Sequence, residues 1–319
     1  MVTASTRVKK KPQKVAYKNK KALETRKIAL QLPSVKSMIS HLDSHVQGNA
    51  HAKEALAIAF KNIEYRANFP RMQLKKTNLL LFGQTGTGKT YMLDLLTKYC
   101  KMPLIKIDMT GRTPAGIWGP DITEDFDVLI DKNNADYRAF MEERFDSGDT
   151  DIPLPLLKNA AYAVVYLDEI DKIAKQDESL SARGLQNEVI GLCEQRDILE
   201  NSLNTRNMLF VGSGAFVGLE DVVKQRLKGE SSIGFNQSSE TKGVYKENDW
   251  YNVVSPIDLV AYGLKPELVG RFPVVTKTDS MTVSALCSIL EKRNSPLKKY
   301  ISLLKKAHDI NMSVPKETK

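Results

Sequence analysis

The feature that most constrains the fold is a strand, a glycine-rich loop and a helix that follow one another without a gap. Residues 78–82 (NLLLF) form a continuous apolar run, which is typical of a strand buried on both faces. The loop that follows reads GQTGTGKT over residues 83–90, and helical periodicity then runs from Lys89 to Tyr99. Further strand-like apolar runs begin at Pro103, Ala161, Asn207 and Pro273. Short strands separated by helical segments predict an α/β fold, a doubly wound parallel sheet flanked by helices.

Composition excludes several classes of protein. The 319 residues are 42% hydrophobic, which excludes a disordered chain. No apolar run approaches the roughly 18–20 residues that span a bilayer, and the N-terminus lacks the apolar core of a secretory signal. The three cysteines form no CxxC pair, so no finger-type zinc site is expected. We therefore expect a soluble, cytoplasmic protein without a membrane partner.

The net charge of +9 belongs to the N-terminal tail. Residues 1–40 contain eleven Lys or Arg and one Glu, so the remaining residues carry about −1. Three interpretations stay open for this tail: a solvated flexible arm, an arm that contacts nucleic acid or an acidic partner, and an organelle presequence that would direct the chain to a matrix. Residues 121–151 are strongly acidic, and we expect an exposed helix and loop there rather than a metal site.

The glycine-rich loop fits the pattern G-x-x-x-x-G-K-[ST], which binds the phosphates of a nucleotide. Its backbone N–H groups would face the α and β phosphates, and the following helix presents its positive N-terminal end. Lys89 would supply a charge to the β and γ phosphates, and the Thr90 hydroxyl would bind Mg²⁺. The predicted ATP-binding residues are therefore Gly83, Gln84, Thr85, Gly86, Thr87, Gly88, Lys89 and Thr90.

A second apolar strand ends in a pair of acids within the sequence VVYLDEID. Asp168 is predicted to hold the Mg²⁺ shell and Glu169 to polarise the attacking water, although an acid pair can also cap a following helix. Asp171 is predicted to be that cap or a salt-bridge partner. Phosphoryl transfer also needs positive charge on the γ-phosphate, and Arg271 in KPELVGRFPVV is the candidate.

These strings together resemble the Clp/Hsl branch of the AAA+ unfoldases over roughly residues 40–310. LLLFGQTGTGKT, VVYLDEIDKIAK, MLFVGSGAFVGLEDVV and YGLKPELVGRFPVV occur in that family's order. The resemblance implies that Val46 and Gln47 contact the adenine base. It also implies that Arg271 is an arginine finger reaching a neighbour's ATP, so the chain would form a ring, a homo-hexamer, with Lys89, Glu169 and Arg271 as the catalytic groups.

Two further strings carry the family's protein-handling functions by resemblance. Ile117 and Trp118, in the string GIWG, correspond to the pore loop that grips unfolded or tagged substrate proteins, with the aromatic one place later than in the family. A tryptophan buried in a turn is the alternative. Ile233 and Phe235, in an Ile-Gly-Phe tripeptide, correspond to the loop that docks a ClpP-like peptidase, and a chance match is the alternative.

The resemblance also sets expectations for domains and for competing functions. We expect a basic tail (1–33), an ATPase large domain (34–280) and a short, incomplete helical small domain (281–319) without the family's second sensor. The family's N-terminal zinc domain and basic pore-entrance insertion have no counterpart either. A fragment, a reduced form completed by a partner chain and a variant with altered coupling all fit these departures. The leading function is an ATP-dependent protein unfoldase. The alternatives are an AAA+ nucleic-acid remodeller or loader, which would use the basic tail as anchor, and a weakly active ATP-binding adaptor of a full-length unfoldase.

Overall fold

The core of the protein is a five-stranded parallel sheet. The computed structural model describes residues 30–112, 122, 125–126, 160–175, 180–198, 203–231, 253–291 and 295–312. In chain order the strands are β1 (Leu79–Phe82), β2 (Leu104–Asp108), β3 (Val164–Asp168), β4 (Asp197–Ile198), β5 (Leu203–Asn204), β6 (Leu209–Gly214) and β7 (Val274–Lys277). The sheet order is β2-β3-β6-β1-β7, with every neighbouring pair parallel. The prediction of a doubly wound α/β sheet is therefore confirmed.

Helices cover both faces of this sheet. In chain order they are α1 (Val35–His45), α2 (Ala50–Asn68), α3 (Lys89–Cys100), α4 (Lys172–Lys175), α5 (Leu180–Glu194), α6 (Leu219–Ser231), α7 (Pro256–Ala261), α8 (Pro266–Arg271), α9 (Val283–Glu291) and α10 (Pro296–His308). α1 begins after Ser34, whose side chain accepts the N–H of Ser37. α1 and α2 are separated at Gly48 and Asn49, as predicted, because both residues adopt a positive φ that a helix does not allow.

The central strand β1 explains why residues 79–82 are apolar without alternation. Leu79 and Leu81 pack with buried residues of α1, α2 and α3, whereas Leu80 and Phe82 pack with residues of α5, α7 and α8. Successive side chains of a strand point to opposite faces, so a strand covered by helices on both sides needs apolar residues throughout. All four side chains are buried.

Two features lie outside the sheet. A short antiparallel pair, β4 with β5, precedes β6, and the apolar pattern does not predict it because each strand has only two residues. After β7 the described residues form the helices α9 and α10, as expected, and α9 has no buried residue. Within the residues that the structure describes, no helix is long and apolar enough to cross a membrane.

Candidate nucleotide site

The phosphate loop lies at the carboxyl edge of the sheet, between β1 and α3. Residue 83 follows β1 directly, and its N–H donates to the carbonyl of Gly214 at the end of β6 (3.1 Å). A side chain at position 83 would meet the Thr278 hydroxyl at 1.8 Å, so only glycine fits there. Gly88 has a φ of +89° and is the N-cap residue just before α3. The glycine-rich loop therefore ends at the N-terminus of α3. Backbone N–H groups at a helix N-terminus are a favourable site for an anion.

Lys89 is folded back onto this loop. Its Nζ donates to the carbonyls of Gly83 (2.7 Å) and Gln84 (2.9 Å), and the residue is buried. Burial lowers the pKa of Lys89, while Asp168, Asp171 and Glu169 oppose that shift. An ammonium has three donors, so Lys89 can turn from loop carbonyls to phosphate oxygens without losing its position.

The predicted metal corner is built around one carboxylate oxygen. Oδ1 of Asp168 accepts hydrogen bonds from the hydroxyls of Ser213 (2.7 Å) and Tyr166 (3.1 Å) and from the N–H of Glu169 (3.0 Å). The Thr90 hydroxyl donates to the Tyr166 hydroxyl (3.1 Å), which links both predicted magnesium ligands. Burial raises the pKa of Tyr166 to about 12, so its hydroxyl stays protonated.

This corner fits a magnesium ion. A carboxylate and a threonine hydroxyl are the hard oxygen ligands that Mg²⁺ prefers, and the ion keeps several waters and takes substrate phosphates for its remaining positions. The three bonds to Asp168 all end on Oδ1, and its Oδ2 accepts none among the described residues. No cluster of three or more His, Cys, Asp or Glu residues capable of holding a metal occurs in the described part of the chain. A metal here would therefore depend on phosphate oxygens as well as on protein.

Glu169 is held by a residue that the sequence patterns did not indicate. The Thr110 hydroxyl donates to Oε2 of Glu169 (2.8 Å). Thr110 follows β2, which pairs with β3 so that Asp108 lies opposite Asp168. Glu169 itself has a φ of +54°, a strained value for a residue other than glycine, and such strain is concentrated at functional sites.

The prediction for Asp171 is wrong. Its Oδ2 accepts the N–H of Phe216 (3.1 Å), and its buried Oδ1 has no hydrogen-bond partner among the described residues. The side chain therefore neither caps α4 nor forms a salt bridge. Instead it ties the end of β3 to the segment after β6.

The turn that is predicted to contact the base lies against the phosphate loop. Val46 is nearly buried and Gln47 is exposed, and both precede the positive-φ pair Gly48 and Asn49. The side-chain amide of Asn49 donates to the carbonyl of Thr87 (3.3 Å). The fold thus brings the two predicted parts of a nucleotide site together.

Arg271 lies at the amino end of the parallel strands, opposite the carboxyl end that carries the phosphate loop. It ends α8, three residues before β7 begins, and β7 runs parallel to β1. A four-residue strand spans on the order of 13 Å, so Arg271 is remote from the phosphate loop of its own chain. Its guanidinium pairs with Glu194, and its carbonyl accepts the side-chain amide of the buried Asn78 (2.9 Å).

The remaining predicted site residues lie outside the described part of the chain. These are the pore-loop candidates Ile117 and Trp118 and the docking candidates Ile233 and Phe235. Nearly all of the basic tail and of the acidic segment 121–151 also lies outside it. Sequence patterns missed Thr110, Tyr166, Ser213 and Asn49, because a single hydroxyl or amide in a strand or turn carries no motif.

One cavity, lined largely by polar and charged residues, joins the catalytic candidates. It has a volume of about 320 Å³ and is lined by Thr85, Gly86, Gly88, Lys89, Thr90, Tyr91, Tyr166, Asp168, Glu169, Asp171, Lys172, Gly214 and Ala215. Backbone N–H groups, one lysine and a pair of acids around one cavity can bind a polyphosphate and activate water beside it.

Comparison with known proteins agrees with this geometry. The family model of the AAA domain (Cdc48 subfamily) matches residues 74–275. The ATP-dependent Clp protease ATP-binding subunit ClpX of Treponema denticola is 30% identical over 302 residues, which cover 86% of this chain and 67% of the relative. The ClpX subunit of Bacteroides fragilis is 31% identical over 297 residues, with 86% and 66% covered. The chain spans about two thirds of the length of these relatives. It belongs to the AAA family and is a ClpX-like AAA+ ATPase.

Proposed function

We propose that this ClpX-like ATPase unfolds proteins, using Mg²⁺-dependent ATP hydrolysis to pull polypeptide through the pore of a ring. The observation that carries the proposal is that the catalytic groups are divided between the two ends of the parallel strands. Lys89, Asp168 and Glu169 face one cavity, whereas Arg271 lies at the far end. An ATPase divided in this way needs a second subunit to complete each site.

Each side chain has a distinct task in hydrolysis. Lys89 moves from the loop carbonyls to the β and γ phosphates, and Thr90 and Asp168 would hold the metal. Bound there, Mg²⁺ would neutralise charge on the phosphate oxygens. Glu169 accepts a proton from water as the water oxygen bonds to the γ-phosphorus. The bond from that phosphorus to the bridging oxygen breaks, and ADP leaves with the bridging oxygen. Thr110 orients the Glu169 carboxylate for this step.

Assembly into a homo-hexameric ring would place Arg271 at the neighbour's γ-phosphate. The guanidinium is partly exposed, so it can exchange Glu194 for a phosphate across an interface. The C-terminal helices support assembly, because apolar side chains of α9 and α10 are exposed: Val283 by 77%, Leu286 by 48%, Tyr300 by 55% and Leu303 by 59%. Exposed apolar surface of this kind is typical of interaction sites.

The parts that handle protein substrate complete the proposal. Residues 34–280 form the ATPase large domain, and residues 281–319 form part of a helical small domain. Ile117 and Trp118 grip unfolded or tagged chains in the pore by side-chain packing. Ile233 and Phe235 dock a ClpP-like peptidase, and the protein works in the cytoplasm.

The decisive experiment measures ATP turnover with and without an unfolded protein, with single-stranded DNA as the competing stimulant. We expect stimulation by the protein alone.

Glu169→Gln should keep ATP binding and lose most turnover, while Lys89→Ala should lose ATP binding itself. Stimulation by DNA alone would favour a nucleic-acid remodeller, and equal ATP affinity of wild type and Lys89→Ala would refute the phosphate-loop assignment.

A further inference from the structure

Three buried polar residues and one exposed aspartate join three segments that are distant in sequence. We call Asn49, Thr87, Thr278 and Asp279 the Asn49 clasp. Asn49 lies in the turn before α2, Thr87 lies in the phosphate loop, and the other two residues follow β7. Asn49 and Asp279 are 230 positions apart in the chain. The clasp therefore exists only in the folded protein.

Asn49 and Asp279 bind each other reciprocally. The N–H of Asn49 donates to Oδ2 of Asp279 (2.5 Å), and the N–H of Asp279 donates to Oδ1 of Asn49 (2.6 Å). Asn49 is only 4% exposed and has a φ of +59°, a region that asparagine tolerates better than most residues. Two short bonds and a restricted backbone therefore hold the turn before α2 in one position.

The same residues also hold the phosphate loop from behind. The Asn49 side-chain amide donates to the Thr87 carbonyl (3.3 Å), and the hydroxyls of Thr87 and Thr278 share a hydrogen bond (2.7 Å). Both threonines are buried. The fit is close, because a side chain at Gly48 would meet Oδ2 of Asp279 at 2.9 Å. Neither the turn nor the loop can shift without disturbing the other.

We propose that Asn49 and Asp279 are positioning residues that hold the base-contacting turn and the phosphate loop at a set separation. A single ATP molecule then contacts both parts, with its base at the turn and its phosphates at the loop. The proposal rests on the assignment of residues 83–90 to phosphates and of Val46 and Gln47 to the base. When two subsites are held rigidly, the second contact costs little additional ordering, so the joined ligand gains affinity over its parts.

The proposal predicts a loss of affinity that depends on whether the ligand carries the adenine base. Asn49→Asp keeps the size of the side chain, the tolerance of positive φ and an acceptor for the N–H of Asp279. It replaces the donor to Thr87 by a carboxylate that repels the Thr87 carbonyl and Asp279. We expect ATP affinity to fall about tenfold, and affinity for inorganic triphosphate, which has no base, to fall less than about threefold.

The matched control is Asn68→Asp at the other end of α2. Asn68 also exchanges two hydrogen bonds with a distant backbone, the N–H and carbonyl of Leu30 (3.1 and 2.7 Å). The two asparagines are roughly 28 Å apart along a helix of this length. The control should lose comparable hydrogen bonding while leaving the ratio of ATP to triphosphate affinity unchanged.

Calorimetric titration of each variant with ATP and with triphosphate tests the proposal. A selective loss for ATP in Asn49→Asp, repeated in Asp279→Ala, supports it. If wild type binds ATP no more tightly than triphosphate, the base subsite is absent and the proposal falls with it. If wild type prefers ATP and both variants keep that preference, the positioning role alone is refuted. Should Asn49→Asp fail to fold, Asp279→Ala decides by the same ratio.

Discussion

Replacement of Tyr166 by phenylalanine tests how the magnesium corner is built. The Tyr166 side chain is 1% exposed, and its hydroxyl contacts Ser213 (2.6 Å), Thr90 (3.1 Å) and Asp168 (3.1 Å). Phenylalanine fills the same space in the core, so packing is preserved. The substitution removes one oxygen from the network and nothing else.

The expected size of the effect depends on which hydrogen bonds the partners of Tyr166 keep in the variant. Ser213 keeps its bond to Asp168, and Thr90 is only partly buried, so water can replace its lost partner. The principal loss is one hydrogen bond to a carboxylate, which is worth about 2 kcal/mol of the free energy of unfolding. Groups that orient a metal ligand typically contribute about 10- to 100-fold to metal affinity. We therefore expect the half-saturating Mg²⁺ concentration for ATP turnover to rise at least about tenfold.

The assay combines urea unfolding with turnover measured across a Mg²⁺ titration at saturating ATP. Tyr162→Phe is the control, because the Tyr162 hydroxyl has no hydrogen-bond partner in the described part of the chain and lies outside the cavity. That variant should match wild type in both measurements. A Tyr166→Phe protein that is destabilised but needs no more Mg²⁺ than wild type would refute the role of the hydroxyl in orienting Asp168.

Three further predictions concern the ring, its pore and its peptidase partner. Arg271→Ala should bind nucleotide nearly as well as wild type and lose on the order of 10³-fold in turnover, and mixing with Glu169→Gln subunits should partly restore turnover. Full turnover by a dilute monomer contradicts this prediction. Trp118→Ala should keep basal ATP turnover within a few-fold and lose unfolding activity, whereas Phe235→Ala should keep unfolding and lose stimulation of a peptidase. If Trp118 is instead a core residue, thermal melting will show a loss of roughly 3–5 kcal/mol in stability and all activities will fall together.

Most of the fold could be predicted because its signals are local. The apolar run of β1 and the glycines after it lie within about a dozen residues, and their interpretation needs no distant partner. The strand VVYLD and the acid that follows it can also be recognised from neighbouring residues alone. The short pair of β4 and β5 was missed because two-residue strands leave no periodicity.

Asp171 shows where local reasoning failed. An acid just before a helix is commonly a cap, or else a salt-bridge partner, and both interpretations were kept for Asp171. In the folded chain its carboxylate instead accepts the N–H of Phe216, which lies 45 positions later. The parallel register of β3 and β6 brings these two positions together.

The sequence by itself determined the phosphate loop, the acidic pair and the apolar strands that precede them, because neighbouring residues carry those motifs. Only the tertiary structure decided how these groups are oriented. Thr110 reaches Glu169 across 59 positions, and Asn49 reaches Asp279 across 230. Such contacts depend on one hydroxyl or amide whose partner is chosen by strand register and helix packing, and no pattern of neighbouring residues can specify that choice.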